Sequence, residues 1–150
     1  MIPITDSITE LTILQPDDWH LHLRDDQALA TTVPHAASSF NRVICMPNLV
    51  PPVKNTNDAR AYRERILQQL QISDIPKERK AAFDPRMTLY MTDQTSVQDI
   101  EAAAQSGIVQ AVKLYPAGAT TNSADGVTDI NARADIFEAM EKHNLPLLIH

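Results

Sequence analysis

The sequence predicts an α/β protein whose parallel sheet is the N-terminal portion, about five strands, of a (β/α)8 barrel of the TIM type. Three observations predict it. Short β-branched and apolar runs alternate with longer helical patterns four times over before a final run ending at His150, and alternating βα units imply a parallel sheet. No glycine-rich phosphate loop follows the first run, since the only glycines are Gly107, Gly118 and Gly126, which disfavours an open nucleotide-binding sheet. Polar residues also sit inside the strand runs, as suits a barrel whose reactive groups project from strand ends.

The first strand is read in DWHLHL (18–23), followed by an Ala-rich helix over 27–38 that Pro34 interrupts. RVICMP (42–47) is the second strand. The helix NDARAYRERILQQL (57–70) follows, with Ala61, Ile66, Leu67 and Leu70 roughly on one face. The polar stretch 71–85 reads as a surface loop, and RMTLYMT (86–92) as the third strand. A helix over 96–106 opens on the capping-box-like pair Ser96 and Asp99, with Gly107 as its C-terminal cap. QAVKLY (110–115) is the fourth strand. The pattern 129–143 places Ile136, Phe137 and Met140 at helical spacing, and PLLIH (146–150) is the fifth strand. A full barrel needs eight strands and about 250 residues. Five strands would leave two open edges, so residues 1–150 are expected to be the N-terminal part of a single barrel domain, truncated after the fifth strand.

Composition narrows the function classes. With 43% hydrophobic and 21% charged residues the chain reads as a soluble globular protein. A net charge of −6 argues against nucleic acid, whose phosphates need clustered Lys and Arg. No apolar run approaches the roughly 20 residues that span a bilayer, and the first 30 residues lack a signal-peptide pattern. The single cysteine, Cys45, cannot form an internal disulfide, so a cytoplasmic location is expected.

In a strand alternate side chains point the same way, so His20, His22 and Arg24 share one face, opposite Trp19, Leu21 and Leu23. Two imidazoles about 7 Å apart along a strand reach one metal ion from adjacent rungs; two packed core histidines are the alternative. Lys113 in AVKLYP shares its face with Ala111 and Tyr115. Burial there would lower its pKa and expose a nucleophilic amine able to form a Schiff base, act as a base or capture carbon dioxide as a two-armed carbamate. A lysine snorkelling from the strand end is the bland reading. His150 stands at the C-terminal end of the fifth strand, where barrel enzymes keep their chemistry. His35 and His143 fall in helical patterns and read as structural. Asp17, Asp18 and Asp25 read as turn or surface residues.

The segments PDDWHLHLRD, MPNLVPPV, KLYPAGATTNS and LPLLIH, from about Leu14 to His150, together resemble the binuclear amidohydrolases, most closely the dihydroorotases of the bacterial single-function type. The resemblance implies the reversible cyclisation of N-carbamoyl-L-aspartate to L-dihydroorotate in pyrimidine (UMP) biosynthesis, with two zinc ions per subunit. It places His20 and His22 on the more buried metal, Lys113 as a carbamate bridging both, and His150 on the more exposed one. Arg24 and Asn48 would hold the substrate α-carboxylate, and Thr120 and Thr121 would contact substrate from a mobile lid. It also implies a homodimer, a general-base aspartate on the eighth strand and a fourth histidine on the sixth. Both of those residues are expected beyond His150, so residues 1–150 alone are expected to be inactive. The chain departs from the pattern at Asp26, where the family commonly has Gly or another small residue, and at Gly118, where close relatives can carry Asn.

Two rival functions remain at this stage. Another cyclic-amide hydrolase of the superfamily, of hydantoinase, dihydropyrimidinase or allantoinase type, would have no carboxylate for Arg24 and Asn48 to grip. A non-catalytic dihydroorotase-like scaffold subunit would need neither the histidine pair nor Lys113.

Overall fold

The computed structural model describes residues 10–150. Five strands, β1 (Asp18–Leu21), β2 (Arg42–Cys45), β3 (Asp84–Met91), β4 (Val109–Leu114) and β5 (Leu147–Ile149), form one sheet in sequence order with every pair parallel. The connections are helical: α1 (Leu29–Ser39), α2 (Thr56–Ile72), α3 (Lys77–Ala82), α4 (Val97–Gln105) and α5 (Ala134–Lys142). The sheet curls as part of a barrel, with β1 and β5 at its two edges.

Strand parity divides the buried residues into two sets. Val43 and Cys45 of β2, Met87, Leu89 and Met91 of β3, and Val112 and Leu114 of β4 join the helix-facing core. They meet Val33 and Ala37 of α1, Tyr62, Ile66 and Leu70 of α2, Ile100 of α4 and Ile136 of α5. Thr88, Tyr90, Ala111, Lys113 and Tyr115 are equally buried but lie outside that cluster, on the opposite face of the sheet. A strand buried on both faces is what a parallel barrel sheet requires. Its concave face here holds a lysine, two tyrosines and a threonine. Thr88 satisfies its hydroxyl by donating to the Cys45 carbonyl at 2.5 Å.

Local chemistry sets the helix boundaries. Ser96 and Asp99 form a full capping box, and the left-handed Gly107 (φ +72°) follows the C-cap Ser106. The Asn55 side chain accepts from the Asp58 N–H and starts α2 one residue earlier than its apolar pattern indicated. Five expectations need correction. Pro34 lies inside a continuous α1 rather than interrupting it. On α2 the buried stripe is Ala59, Tyr62, Ile66 and Leu70, and Ala61 is exposed. The stretch 71–85 is not a loop throughout, because KERKAA forms α3 and β3 begins at Asp84. Strong helix formers suffice for a short helix, and a six-residue helix with no buried residue carries no apolar period to read. The pattern over 129–143 splits into a 3-10 turn, Ile130–Arg133, and α5.

The fifth correction concerns β1. The strand ends at Leu21, so the two-residue alternation does not extend to Arg24, whose backbone is left-handed at φ +62°. Leu23 is buried and Leu21 half-buried as predicted, but Trp19 is 54% exposed and lies under the Arg42 guanidinium at 5.2 Å. Asp17 pairs with Arg42, and Asp25 forms a two-pronged pair with Arg65 at 2.6 and 2.9 Å. Asp18 accepts from the His20 N–H at 2.9 Å. Asp17 and Asp25 thus anchor the chain on either side of β1, as expected of them, whereas Asp18 is the first residue of the strand itself. Asp26 is also left-handed, at φ +50°. That conformation accounts for the small residue the family pattern favours there, and Asp is among the residues that tolerate it.

Candidate active site

The predicted site residues gather at the C-terminal ends of the strands. His20 lies on β1 and His22 just past it, with their Nε2 atoms 3.2 Å apart and their ring centroids at 5.2 Å. Burial lowers the pKa of both rings. Lys113 and His150 push His20 down further against the pull of Asp18, while Arg24 and His20 do the same to His22 against the Asn48 side chain. Both imidazoles are therefore biased toward the neutral, ligating form.

Lys113 is 2% exposed. It stands on β4 opposite Tyr90 of β3 and Leu148 of β5. Its Nζ donates to the Ile149 carbonyl at 3.1 Å and lies 5.3 Å from the Tyr115 ring centroid. Burial holds its pKa below the ordinary lysine value, which favours the neutral amine. The Tyr115 ring also stacks on Tyr90 at 5.0 Å and meets the His150 ring at 5.6 Å. Burial pushes the Tyr115 phenol up to about 12, Tyr90 adds to the rise and Arg24 opposes it. Just past β5, the His150 N–H donates to the Leu114 carbonyl at 3.1 Å, anchoring that residue beside β4.

This donor set fits a divalent metal. Two nitrogens bound at about 2.0–2.1 Å to a tetrahedral zinc lie roughly 3.3 Å apart, and the Nε2 atoms of His20 and His22 are 3.2 Å apart. Among the described residues no group of three or more His, Cys, Asp or Glu side chains converges.

The substrate-facing candidates are arranged around Asn48, which lies in the loop after β2 and is buried. Its Nδ2 donates to the Thr121 carbonyl at 3.3 Å, and its Oδ1 has no partner among the described residues. Arg24 is exposed; its carbonyl accepts from the Tyr62 hydroxyl at 2.5 Å, and its charge influences both His22 and Tyr115. Thr120 and Thr121 lie in the connection 116–127. That connection is closed at its base by the Pro116–Val127 bridge and internally by Ser123, which bonds to both the carbonyl and the N–H of Thr120.

The profile of the amidohydrolase family matches residues 15–150. The chain belongs to the amidohydrolase family. The relatives of this amidohydrolase include a dihydroorotase of Hahella chejuensis, 58% identical over 95% of this chain and 39% of the relative. A mitochondrial dihydroorotase of Arabidopsis thaliana is 56% identical over 94% of this chain and 36% of its own length. Among solved structures, a dihydroorotase of Campylobacter jejuni superposes with a TM-score of 0.77 at 40% identity, over 91% of this chain and 38% of that one. A dihydroorotase of Saccharomyces cerevisiae, solved in complex with 5-fluoroorotic acid, gives a TM-score of 0.78 at 31% identity, over 90% and 35% of the two chains. The amidohydrolase chain thus spans 36–40% of the length of the curated relatives it matches.

Within this amidohydrolase, His20 is joined to His22, Lys113 to His150 through Tyr115, and Asn48 to Thr121. His35 is exposed on α1, and His143 caps α5 with its Nε2 3.8 Å from Glu101, so both lie on helices as expected. Sequence reasoning missed the tyrosine shelf. The signal was present in part, because Tyr115 shares strand parity with Lys113. Tyr90 stands beside Lys113 only through the β3–β4 register.

Proposed function

We propose that this chain supplies the first five strands and most of the metal ligands of a dihydroorotase barrel. The observation that carries the reading is the Lys113 amine, 2% exposed and close enough to the convergent His20 and His22 to help depress the pKa of each. A buried ammonium without a fixed counter-charge is costly. Conversion to a carbamate replaces it with a ligand of the opposite sign: the neutral amine attacks carbon dioxide, an N–C bond forms and one proton leaves. In this reading His20 and His22 would hold one zinc and His150 the second, with carboxylated Lys113 as the anionic ligand of the pair. Two bound zinc ions would lower the pKa of water and polarise the scissile amide carbonyl.

The chain's own residues would bind and orient the substrate. The Arg24 guanidinium offers a fork matched to a carboxylate, and the Asn48 amide has a second N–H available beside it. Thr120 and Thr121 would bring hydroxyls over the acyclic substrate. The proton-transferring aspartate and the fourth histidine would come from outside residues 1–150. The relatives' names support the choice of dihydroorotate over a hydantoin, and so does the Arg24–Asn48 pair. The reading includes a cytoplasmic homodimer acting on a small molecule.

Spectrophotometric assay of the full-length protein tests this. Dihydroorotate should be opened and re-formed, and Arg24→Ala should raise its KM at least tenfold. Hydantoin turnover that survives Arg24→Ala, with no dihydroorotate turnover, would contradict the reading. So would a full-length protein purified under zinc-replete conditions with no bound metal.

A further inference from the structure

Three hydrogen bonds converge on one exposed dipeptide, Thr121–Asn122. Asn48 donates through Nδ2 to the Thr121 carbonyl at 3.3 Å, and Asn122 returns its own Nδ2 to the Asn48 carbonyl at 3.0 Å. The Tyr90 hydroxyl donates to the Asn122 carbonyl at 3.2 Å. The loop end after β2 and the end of β3 thereby grip the connection that follows β4.

The rest of the connection is organised so that this grip acts at its tip. Gly118 and Gly126 both donate to the Ser123 carbonyl, Thr120 donates to the Ser123 hydroxyl, and Ala117 and Val127 close the base through reciprocal bonds between 115–117 and 127. Asn122 itself is left-handed, at φ +56°, a conformation that Asn and Asp tolerate and Gly adopts freely. It contacts neither Lys113 nor the histidine pair among the hydrogen bonds of the described residues, and acts only through Asn48 and the loop.

We infer that Asn122 is a positioning residue that latches the 116–127 connection onto Asn48, holding the Asn48 amide and the Thr121 backbone in one geometry. The latch is a property of the fold. Its effect on substrate rests on the dihydroorotase reading above.

The test uses the full-length protein with Asn122→Gly and Asn122→Asp. Both replacements accept the left-handed backbone. Gly removes the donor, whereas Asp keeps the shape and turns a carboxylate oxygen toward the Asn48 carbonyl. Hydrogen exchange of the 116–127 amides, followed by mass spectrometry without substrate, should speed up about fivefold in Asn122→Gly. It should speed up at least as much in Asn122→Asp. Asn122→Asp exchanging like the parent would overturn the latch, because conformation alone would then explain the residue. In turnover, Asn122→Gly should raise the dihydroorotate KM about fivefold with kcat within a factor of about two. Faster exchange with an unchanged KM would overturn the claim that the latch positions Asn48. If the parent protein turns over no dihydroorotate, the functional reading fails, and exchange alone decides the latch.

Discussion

Replacing Lys113 with methionine should leave the metal-free protein about as stable while removing its response to zinc. The side chain is 2% exposed, and its Nζ donates to the Ile149 carbonyl at 3.1 Å. Methionine has similar length and no charge to desolvate. Exchanging a buried charge for an apolar residue of like volume is neutral or stabilising by about 1–4 kcal/mol. The lost hydrogen bond to a charged donor is worth about 1.5–3 kcal/mol. Ile149 is 62% exposed on the edge strand β5, so its carbonyl has access to water once the amine is gone. The two terms nearly cancel, so the metal-free variant should melt within a few degrees of the metal-free parent. Zinc at 100 times its Kd should then add about 2.7 kcal/mol to the parent protein and almost nothing to the variant. The assay is thermal unfolding of full-length parent and Lys113→Met, each stripped of metal and then titrated with zinc. Adding zinc should raise the parent midpoint by several degrees and leave that of the variant almost unchanged. Equal stabilisation of both by zinc would refute the reasoning.

Asp25→Ala should cost about 1–2 kcal/mol, because it removes both the pair with Arg65 and the side-chain cap on the Asp26 N–H at 2.9 Å. Burial pushes the Asp25 carboxyl up, but Arg65 and the Asp26 N–H outweigh it and leave the pKa below its ordinary value. Its contribution is therefore complete above the unfolded-state pKa of about 3.9 and is lost as pH falls through the lower folded value. Urea melts of parent and variant should thus differ at pH 7 and converge in strong acid. Gly126→Ala would put a Cβ 2.4 Å from the Tyr115 carbonyl oxygen and 3.0 Å from that of Ser123, both backbone atoms. A loss of about 1–3 kcal/mol by chemical denaturation is expected, since overpacking here must move backbone. Arg24→Lys should raise the dihydroorotate KM about tenfold, because a point charge cannot replace a bidentate fork.

Much of the fold was legible because the βα rhythm is repeated and each strand carries its own apolar signal. Lys113 stood out because it is a charged residue where burial demands an apolar one, and His20 and His22 because of their two-residue spacing at the end of β1. Strand parity failed just where the backbone stops being a strand. The left-handed Arg24 redirects the chain in a way that no side-chain pattern encodes. Helix α3 escaped because it buries nothing. The tyrosine shelf and the Asn122 latch depend on register and on contacts as distant as the 74 positions between Asn48 and Asn122. No sequence signal singles out Asn122, and only the returning hydrogen bond to Asn48 distinguishes it.

The claim at the centre of this account is that His20, His22, Lys113 and His150 are ligands of one two-metal centre. Anomalous diffraction at the zinc edge, from crystals of the full-length protein, tests it most directly. Two anomalous peaks are predicted, one between the Nε2 atoms of His20 and His22 and one beside His150, with extra density on the Lys113 amine spanning them. Peaks located away from these residues, or none in zinc-replete crystals, would contradict it.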